Sequence, residues 1–96
     1  MRKVVLYGTP TCGDCPPAKQ ALTEAGVKFA FVDVCESVGT LKRYLKIRDT
    51  AESHAMVREK HTVGIPTIVI DDEVILVNGP EHIKELVEKY HLLDEE

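Results

Sequence analysis

Two short apolar runs with a helical pattern between them constrain the fold of this chain more than any other feature. Residues 3–7 (KVVLY) and 28–34 (KFAFVDV) are rich in β-branched and aromatic side chains, which is typical of buried strands. Over about 13–25 apolar residues recur at helical spacing, and Gly26 follows as a stop signal. This strand, helix and strand predict a right-handed βαβ unit with parallel strands.

The second half of the chain continues this alternation. Residues 38–60 predict two helices or one kinked helix, with a break near Asp49. A β-hairpin follows over 67–77, with an acidic Asp-Asp turn, and 81–92 has the pattern of an amphipathic helix. The predicted order is βαβααββα. A chain of 96 residues fits one core, so we expect a single α/β domain over 1–96.

Charge and hydropathy exclude several classes of function. Sixteen acidic residues against twelve basic ones give a net charge of −4, the opposite of what a phosphate backbone attracts. No apolar run is long enough to cross a bilayer, and the N-terminus lacks the apolar core of a secretion signal. We therefore expect a cytoplasmic protein that binds neither nucleic acid nor membrane and is a monomer.

Cys12 and Cys15 form a C-x-x-C between the first strand and the first helix. Pro16 and Pro17 are tolerated only in a first helical turn, which predicts that the helix begins at or just after Cys12. Free amide hydrogens and the positive end of the helix dipole would then stabilise a Cys12 thiolate. This favours a redox pair in which Cys12 attacks and Cys15, more buried, resolves the mixed disulfide. Half of a metal or cluster site and a chance pairing are the alternatives.

A second motif, Val63-Gly64-Ile65-Pro66-Thr67, stands just before the apolar run 67–70. In a redox fold built on a βαβ unit, a cis proline at this position leaves the preceding backbone free to pair with an incoming peptide or thiol. We therefore expect Pro66 to be cis and to face the active sulfur.

Three segments in this order and spacing, YGTPTCGDCPPAKQAL, TVGIPTIVIDDEVIL and NGPEHIKEL, resemble a bacterial glutaredoxin-like protein of the thioredoxin superfamily. The resemblance implies a thioredoxin-like fold, with a four-stranded mixed sheet flanked by helices. It implies that Cys12 attacks, that Cys15 resolves and that Ile65 offers backbone hydrogen bonds to the cysteinyl part of glutathione. It also implies no bound cofactor, with glutathione or a thioredoxin-reductase-type enzyme as the electron donor.

The chain departs from this family's pattern at three places, one of which is Thr9, where a lysine often precedes the motif by three positions. Gly13-Asp14 stands where Pro-Tyr is usual, and the Asp14 carboxylate opposes ionisation of the neighbouring thiol by like-charge repulsion. The turn that grips the γ-glutamyl end reads Asn78-Gly79-Pro80-Glu81-His82 instead of Gly-Gly followed by a Ser-Asp type pair. The residues expected to contact substrate or glutathione are Thr11, Gly13, Asp14, Ile65, Pro66, Gly79 and Glu81.

The sequence thus predicts a thiol–disulfide oxidoreductase that reduces disulfides of proteins or small thiols through Cys12 and Cys15. The alternative is a non-enzymatic metal or iron–sulfur carrier in which Cys12 thiolates of two subunits bridge a cluster, for which Gly13 leaves space. We expect no other metal site, because the four histidines lack zinc-ligand spacing and are predicted at the surface. Cys35 has no partner at motif spacing and is interpreted as a structural or incidental thiol.

Overall fold

The structure, a computed structural model, describes residues 2–93 and has the predicted order of elements. The bounds are β1 Val4–Gly8, α1 Cys15–Ala25, β2 Ala30–Asp33, α2 Val38–Thr50, a 3-10 turn Glu52–His54, α3 Ala55–Glu59, β3 Thr67–Ile70, β4 Glu73–Leu76 and α4 Pro80–Lys89. The break expected near Asp49 is confirmed, because α2 ends at Thr50. Within these residues no helix is both long and apolar enough to span a membrane.

The four strands form one mixed sheet in the order β2-β1-β3-β4. β1 pairs with β2 in parallel, and β3 is antiparallel to both β1 and β4. All five residues of β1 are buried, as expected of a central strand with neighbours on both sides. The mixed four-stranded sheet is confirmed, and the carboxyl end of β1 lies beside Asp33 on one side and Thr67 on the other.

Alternate residues of β1 face two separate apolar cores. Val4 and Leu6 pack in the larger core, which contains residues of α1 and α4. Val5 and Tyr7 point the other way and cluster with Tyr44 of α2. This alternation follows from the two-residue period of a strand, so the sheet is covered by helices on both faces.

Helix α1 begins at Cys15, which corrects the predicted start at or just after Cys12. Proline has no amide hydrogen, so Pro16 and Pro17 cannot donate to the carbonyls four residues earlier. Ala18 is the first residue of this segment after the prolines that can donate, and its acceptor position is Asp14, the observed N-cap. Cys12 therefore lies before the helix, in a turn.

Candidate active site

The two motif cysteines differ sharply in accessibility. Cys12 lies in the turn between β1 and α1, where its amide nitrogen donates to the Thr9 carbonyl at 3.1 Å, and it is partly exposed. Cys15 begins α1 and is only 1% exposed. The more accessible of the two sulfurs is therefore that of Cys12.

Cys15 is pressed against the end of β1 at Gly8. A Cβ atom at Gly8 would lie only 2.8 Å from the Cys15 sulfur, so a residue without a side chain is needed here. This burial, together with a hydrogen bond to Cys12, raises the pKa of Cys15 to about 12. The negative charge of Asp14 acts in the same direction, and a backbone contact with Thr9 opposes it. Cys15 is thus held as a neutral thiol directed at Cys12.

The loop before β3 faces Cys12 from the opposite side. The peptide bond between Ile65 and Pro66 is cis, as predicted. The Ile65 carbonyl lies 3.9 Å from the Cys12 sulfur, whose thiol can donate to it. The two sequence motifs, far apart in the chain, therefore meet at one point.

Cys12 and this loop line an open cleft of about 640 Å³. Its walls come from the ends of β1 and β2, from α2 and α3, and from the loops before β3 and after β4. The lining residues are Thr9, Thr11, Cys12, Val34, Cys35, Leu41, Val57, Thr62, Val63, Gly64, Ile65, Leu76, Val77 and Asn78.

Buried polar side chains hold the loop in place from behind. Tyr44 Oη lies 2.8 Å from the Val63 carbonyl and 2.7 Å from that of Gly64. The Thr67 hydroxyl donates to the Gly64 carbonyl at 2.6 Å, and the fully buried His54 lies 2.7 Å from that hydroxyl. Side chains of α2, the 3-10 turn and β3 thus fix the backbone that faces Cys12.

Arg48 holds the residue that precedes Val63 in this loop. Its Nε and Nη2 atoms both donate to the Thr62 carbonyl, at 2.9 and 2.8 Å. One of the basic residues of α2 therefore binds the loop that faces Cys12. The prediction that all four histidines lie at the surface is wrong for His54, which is completely buried.

The family of this chain follows from a comparison of its sequence with family models. The glutaredoxin model matches residues 4–75, which include β1, both cysteines, the cis proline and most of the hairpin. The chain belongs to the glutaredoxin family. A partly exposed cysteine, a buried cysteine three residues further and a cis proline whose preceding carbonyl lies 3.9 Å from the Cys12 sulfur fit this assignment.

Similar glutaredoxins come from bacteria and archaea. An uncharacterized glutaredoxin-like 8.6 kDa protein in the rubredoxin operon of Clostridium pasteurianum is 26% identical over 86 residues, covering 90% of this chain and 99% of that protein. The crystal structure of a glutaredoxin from Methanosarcina mazei Go1 is 31% identical, with a TM-score of 0.62 and coverage of 91% of this chain and 76% of that one. That of glutaredoxin grx-1 from Archaeoglobus fulgidus is 25% identical, with a TM-score of 0.65 and coverage of 91% and 87%.

The other residues predicted to contact substrate or glutathione lie either near Cys12 or at the start of α4. Thr11 lines the cleft, while Gly13 and Asp14 are exposed beside Cys12. Gly79 and Glu81 lie at the start of α4 and do not line the cleft, which on that side ends at Asn78. Of these five residues Thr11 alone lines the cleft, and contact of any of them with substrate or glutathione stays a prediction.

Two features of the turn before α4, Pro80 and the engaged His82, limit what it offers to an anion. Gly79 is the N-cap of α4 and has a φ of 97°. Pro80 follows it at the first helical position and has no amide hydrogen to offer. The His82 imidazole already accepts a hydrogen bond, at 2.9 Å, from the Asn78 amide.

Residues 2–93 contain no cluster of three or more His, Cys, Asp or Glu side chains suited to a metal ion.

Sequence reasoning missed the residues that support the site from behind. Gly8, Tyr44, His54 and Thr67 touch either the Cys15 sulfur or the loop before β3. The only signal for Gly8 was its position at the end of an apolar strand. His54 stands in a polar stretch where nothing in the pattern marks it as buried.

Proposed function

We propose that this protein is a thiol–disulfide oxidoreductase that uses Cys12 as nucleophile and Cys15 as resolving thiol. The observation that carries the proposal is the pairing of an accessible Cys12 with a buried, neutral Cys15 directed at it, opposite the Ile65 carbonyl. Such a pair can react in two ordered steps, since only one sulfur meets the substrate.

In the first step the Cys12 thiolate attacks one sulfur of a substrate disulfide. A bond forms between Cys12 and that sulfur, and the other substrate sulfur leaves as a thiolate that takes up a proton. The Ile65 carbonyl lies 3.9 Å from the Cys12 sulfur, so an extended substrate chain bonded to Cys12 can pair with the Ile65 backbone. Tyr44 and Thr67 serve as positioning residues, because they hold the carbonyls of Val63 and Gly64, which precede Ile65.

In the second step Cys15 loses its proton and attacks the Cys12 sulfur. The Cys12–Cys15 disulfide forms, and the bound substrate leaves as a reduced thiol. Burial is the main cause that holds the pKa of Cys15 high, and the hydrogen bond to Cys12 and the Cys12 charge add to it. Once Cys12 is bonded to substrate it carries no charge, so forming the mixed disulfide itself favours ionisation of Cys15.

The oxidised pair then needs two electrons from an external donor. Family membership supports glutathione as that donor, and a thioredoxin-reductase-type enzyme is the alternative. Neither donor requires a bound cofactor on this chain, because the two sulfurs carry the electrons.

The test is a coupled assay with a small mixed disulfide, glutathione and glutathione reductase. Wild type should turn over and Cys12→Ser should not, whereas Cys15→Ser should accumulate a mixed disulfide or retain only monothiol activity. Mass spectrometry of proteolytic peptides should place the trapped adduct on Cys12 and not on Cys35. Full activity of Cys12→Ser would refute the proposal, and a coloured, cluster-containing dimer after anaerobic purification would support a carrier instead.

A further inference from the structure

The residues that line the cleft beside Cys12 indicate which disulfides the cleft accepts. Resting on the proposed function, we infer that it selects disulfides carried by uncharged peptide segments with apolar side chains, over glutathione and other acidic disulfides. Two properties of the site support this preference: the charge and polarity of the cleft walls, and the positions of the nearest cationic side chains.

The walls of the cleft carry no formally charged side chain. Apart from the two thiols, its lining consists of aliphatic residues, glycine, threonines and one asparagine. Leu41 and Val63 are among the few large apolar residues that remain exposed, at 39% and 53%, and both line this cleft. Apolar side chains of a bound peptide would cover them and remove apolar surface from water.

The four basic residues of α2, Lys42, Arg43, Lys46 and Arg48, do not line the cleft. Arg48 is occupied by the Thr62 carbonyl. Arg43 lies over the ring of Tyr7 and lines a different groove together with Lys46. A carboxylate placed in the cleft would therefore lose hydration without meeting any of these cations, which is unfavourable.

The start of α4 offers little to a second carboxylate. Pro80 removes one of the free amide hydrogens that a helix start normally presents, and His82 is engaged by the Asn78 amide. Glutathione has a carboxylate at each end and an ammonium group, so it would leave these charges poorly matched. A volume of about 640 Å³ is instead sufficient for a cysteine with its neighbours in an extended peptide.

The test measures how fast Cys12 forms an adduct with each of three disulfides in the Cys15→Ser background, which needs no electron donor. Two peptides of equal length carry one cysteine flanked by valine and leucine or by glutamate, each as its mixed disulfide with 2-mercaptoethanol. Glutathione disulfide is the third. We expect the apolar peptide to react about tenfold faster than either acidic substrate, the scale on which hydrophobic sites discriminate.

Val63→Lys and Met56→Lys form a matched pair of variants. Val63 and Met56 are similarly exposed, at 53% and 57%, but only Val63 lines the cleft. Val63→Lys should slow adduct formation with the apolar peptide and speed it with both acidic substrates. The ratio of the apolar rate to the acidic rates should therefore fall about fivefold or more. Met56→Lys should leave the ratio unchanged, and Leu41→Lys repeats the test from the opposite wall.

The possible outcomes separate this inference from the proposed function. Equal or faster reaction of glutathione disulfide, or a rate ratio that Val63→Lys and Leu41→Lys both leave unchanged, would overturn the inference while Cys12 remained the nucleophile. No adduct on Cys12 with any of the three disulfides would overturn the proposed function and the inference together.

Discussion

The imidazole of His54 lies 2.7 Å from the hydroxyl of Thr67, and both side chains are fully buried behind the loop that faces Cys12. Thr67 has a single hydroxyl hydrogen and directs it to the Gly64 carbonyl, so Nε2 of His54 must be the donor between them. Nδ1 then accepts from Ser53 Oγ at 2.9 Å. Neutral His54 therefore satisfies every partner, and a protonated ring would disturb this chain of hydrogen bonds.

Stability should accordingly fall as His54 is protonated. Burial lowers the pKa of His54, and the charges of Arg58 and Arg48 add to the effect, while the Gly64 carbonyl opposes it. The folded-state pKa thus lies below the unfolded value of about 6.5. As the pH falls below that value the unfolded chain binds the proton first. The free energy of unfolding should be independent of this group above about pH 6.5 and decrease below it.

Urea unfolding between pH 5 and pH 7.5 measures this dependence, with His54→Gln as the control. Glutamine keeps an N–H donor for Thr67 but has no proton to gain. Its slope of stability against pH should be shallower than that of wild type in this window, since the carboxylates contribute equally to both proteins. Equal slopes would show that His54 does not titrate differently in the folded and unfolded states.

The order of elements was predictable because it depends on local periodicity. Residues adjacent in sequence determine the strands near 3–7 and 67–70, the break near Asp49 and the hairpin turn. The helix start was predicted too early because the prolines were treated only as tolerated, although their missing donors determine which carbonyls can join the helix.

The supporting residues could not be predicted, because their roles depend on contacts between distant segments. His54 is buried by Thr67 and by the Tyr44 ring, whose centroid lies 6.4 Å from its own. No local pattern distinguishes it from exposed His61. Gly79 and Glu81 were included through family resemblance, and their contact with substrate or glutathione stays a prediction.

Gly64→Ala should be strongly destabilising, and Gly26→Ala much less so. Both glycines have nearly the same positive φ, 78° and 80°, so alanine would be strained at either by about 1–2 kcal/mol. At Gly64 the new Cβ would also lie 2.7 Å from a Val57 methyl group and 3.1 Å from Tyr44 Oη, whereas at Gly26 the nearest atom, a Leu93 methyl carbon, is 4.0 Å away. Overpacking adds about 1–3 kcal/mol.

Denaturant unfolding of the two variants measures the effect of the added contacts, because the two glycines have nearly the same φ. Gly64→Ala should also slow adduct formation on Cys12, since it displaces the loop that receives the substrate. Equal destabilisation by the two substitutions would show that the loop yields to the added methyl group and is not rigidly held.

Gly8→Ala should separate the two chemical steps. The new Cβ would lie 2.8 Å from the Cys15 sulfur and 3.4 Å from the Phe31 ring, so the resolving sulfur must move while Cys12 keeps its turn. Adduct formation on Cys12 should stay within about twofold of wild type, whereas release of substrate by Cys15 slows by about tenfold to a hundredfold, as misplaced groups do. Rapid-quench mass spectrometry follows both steps, and an unchanged release rate would contradict this account of Gly8.

Release by Cys15 should accelerate with pH over the whole neutral and mildly alkaline range. In the reduced protein burial is the main reason that the pKa of Cys15 reaches about 12, and the hydrogen bond to Cys12 and the Cys12 charge add to it. Forming the mixed disulfide removes the Cys12 charge but leaves the burial and the charge of Asp14. The pKa therefore stays above ordinary thiol values, and below it the thiolate fraction rises about tenfold per pH unit. Single-turnover release from a preformed Cys12 mixed disulfide should rise in this way from pH 7 to pH 9. A plateau reached below pH 8 would mean that Cys15 is already ionised there, and that desolvation does not control the second step.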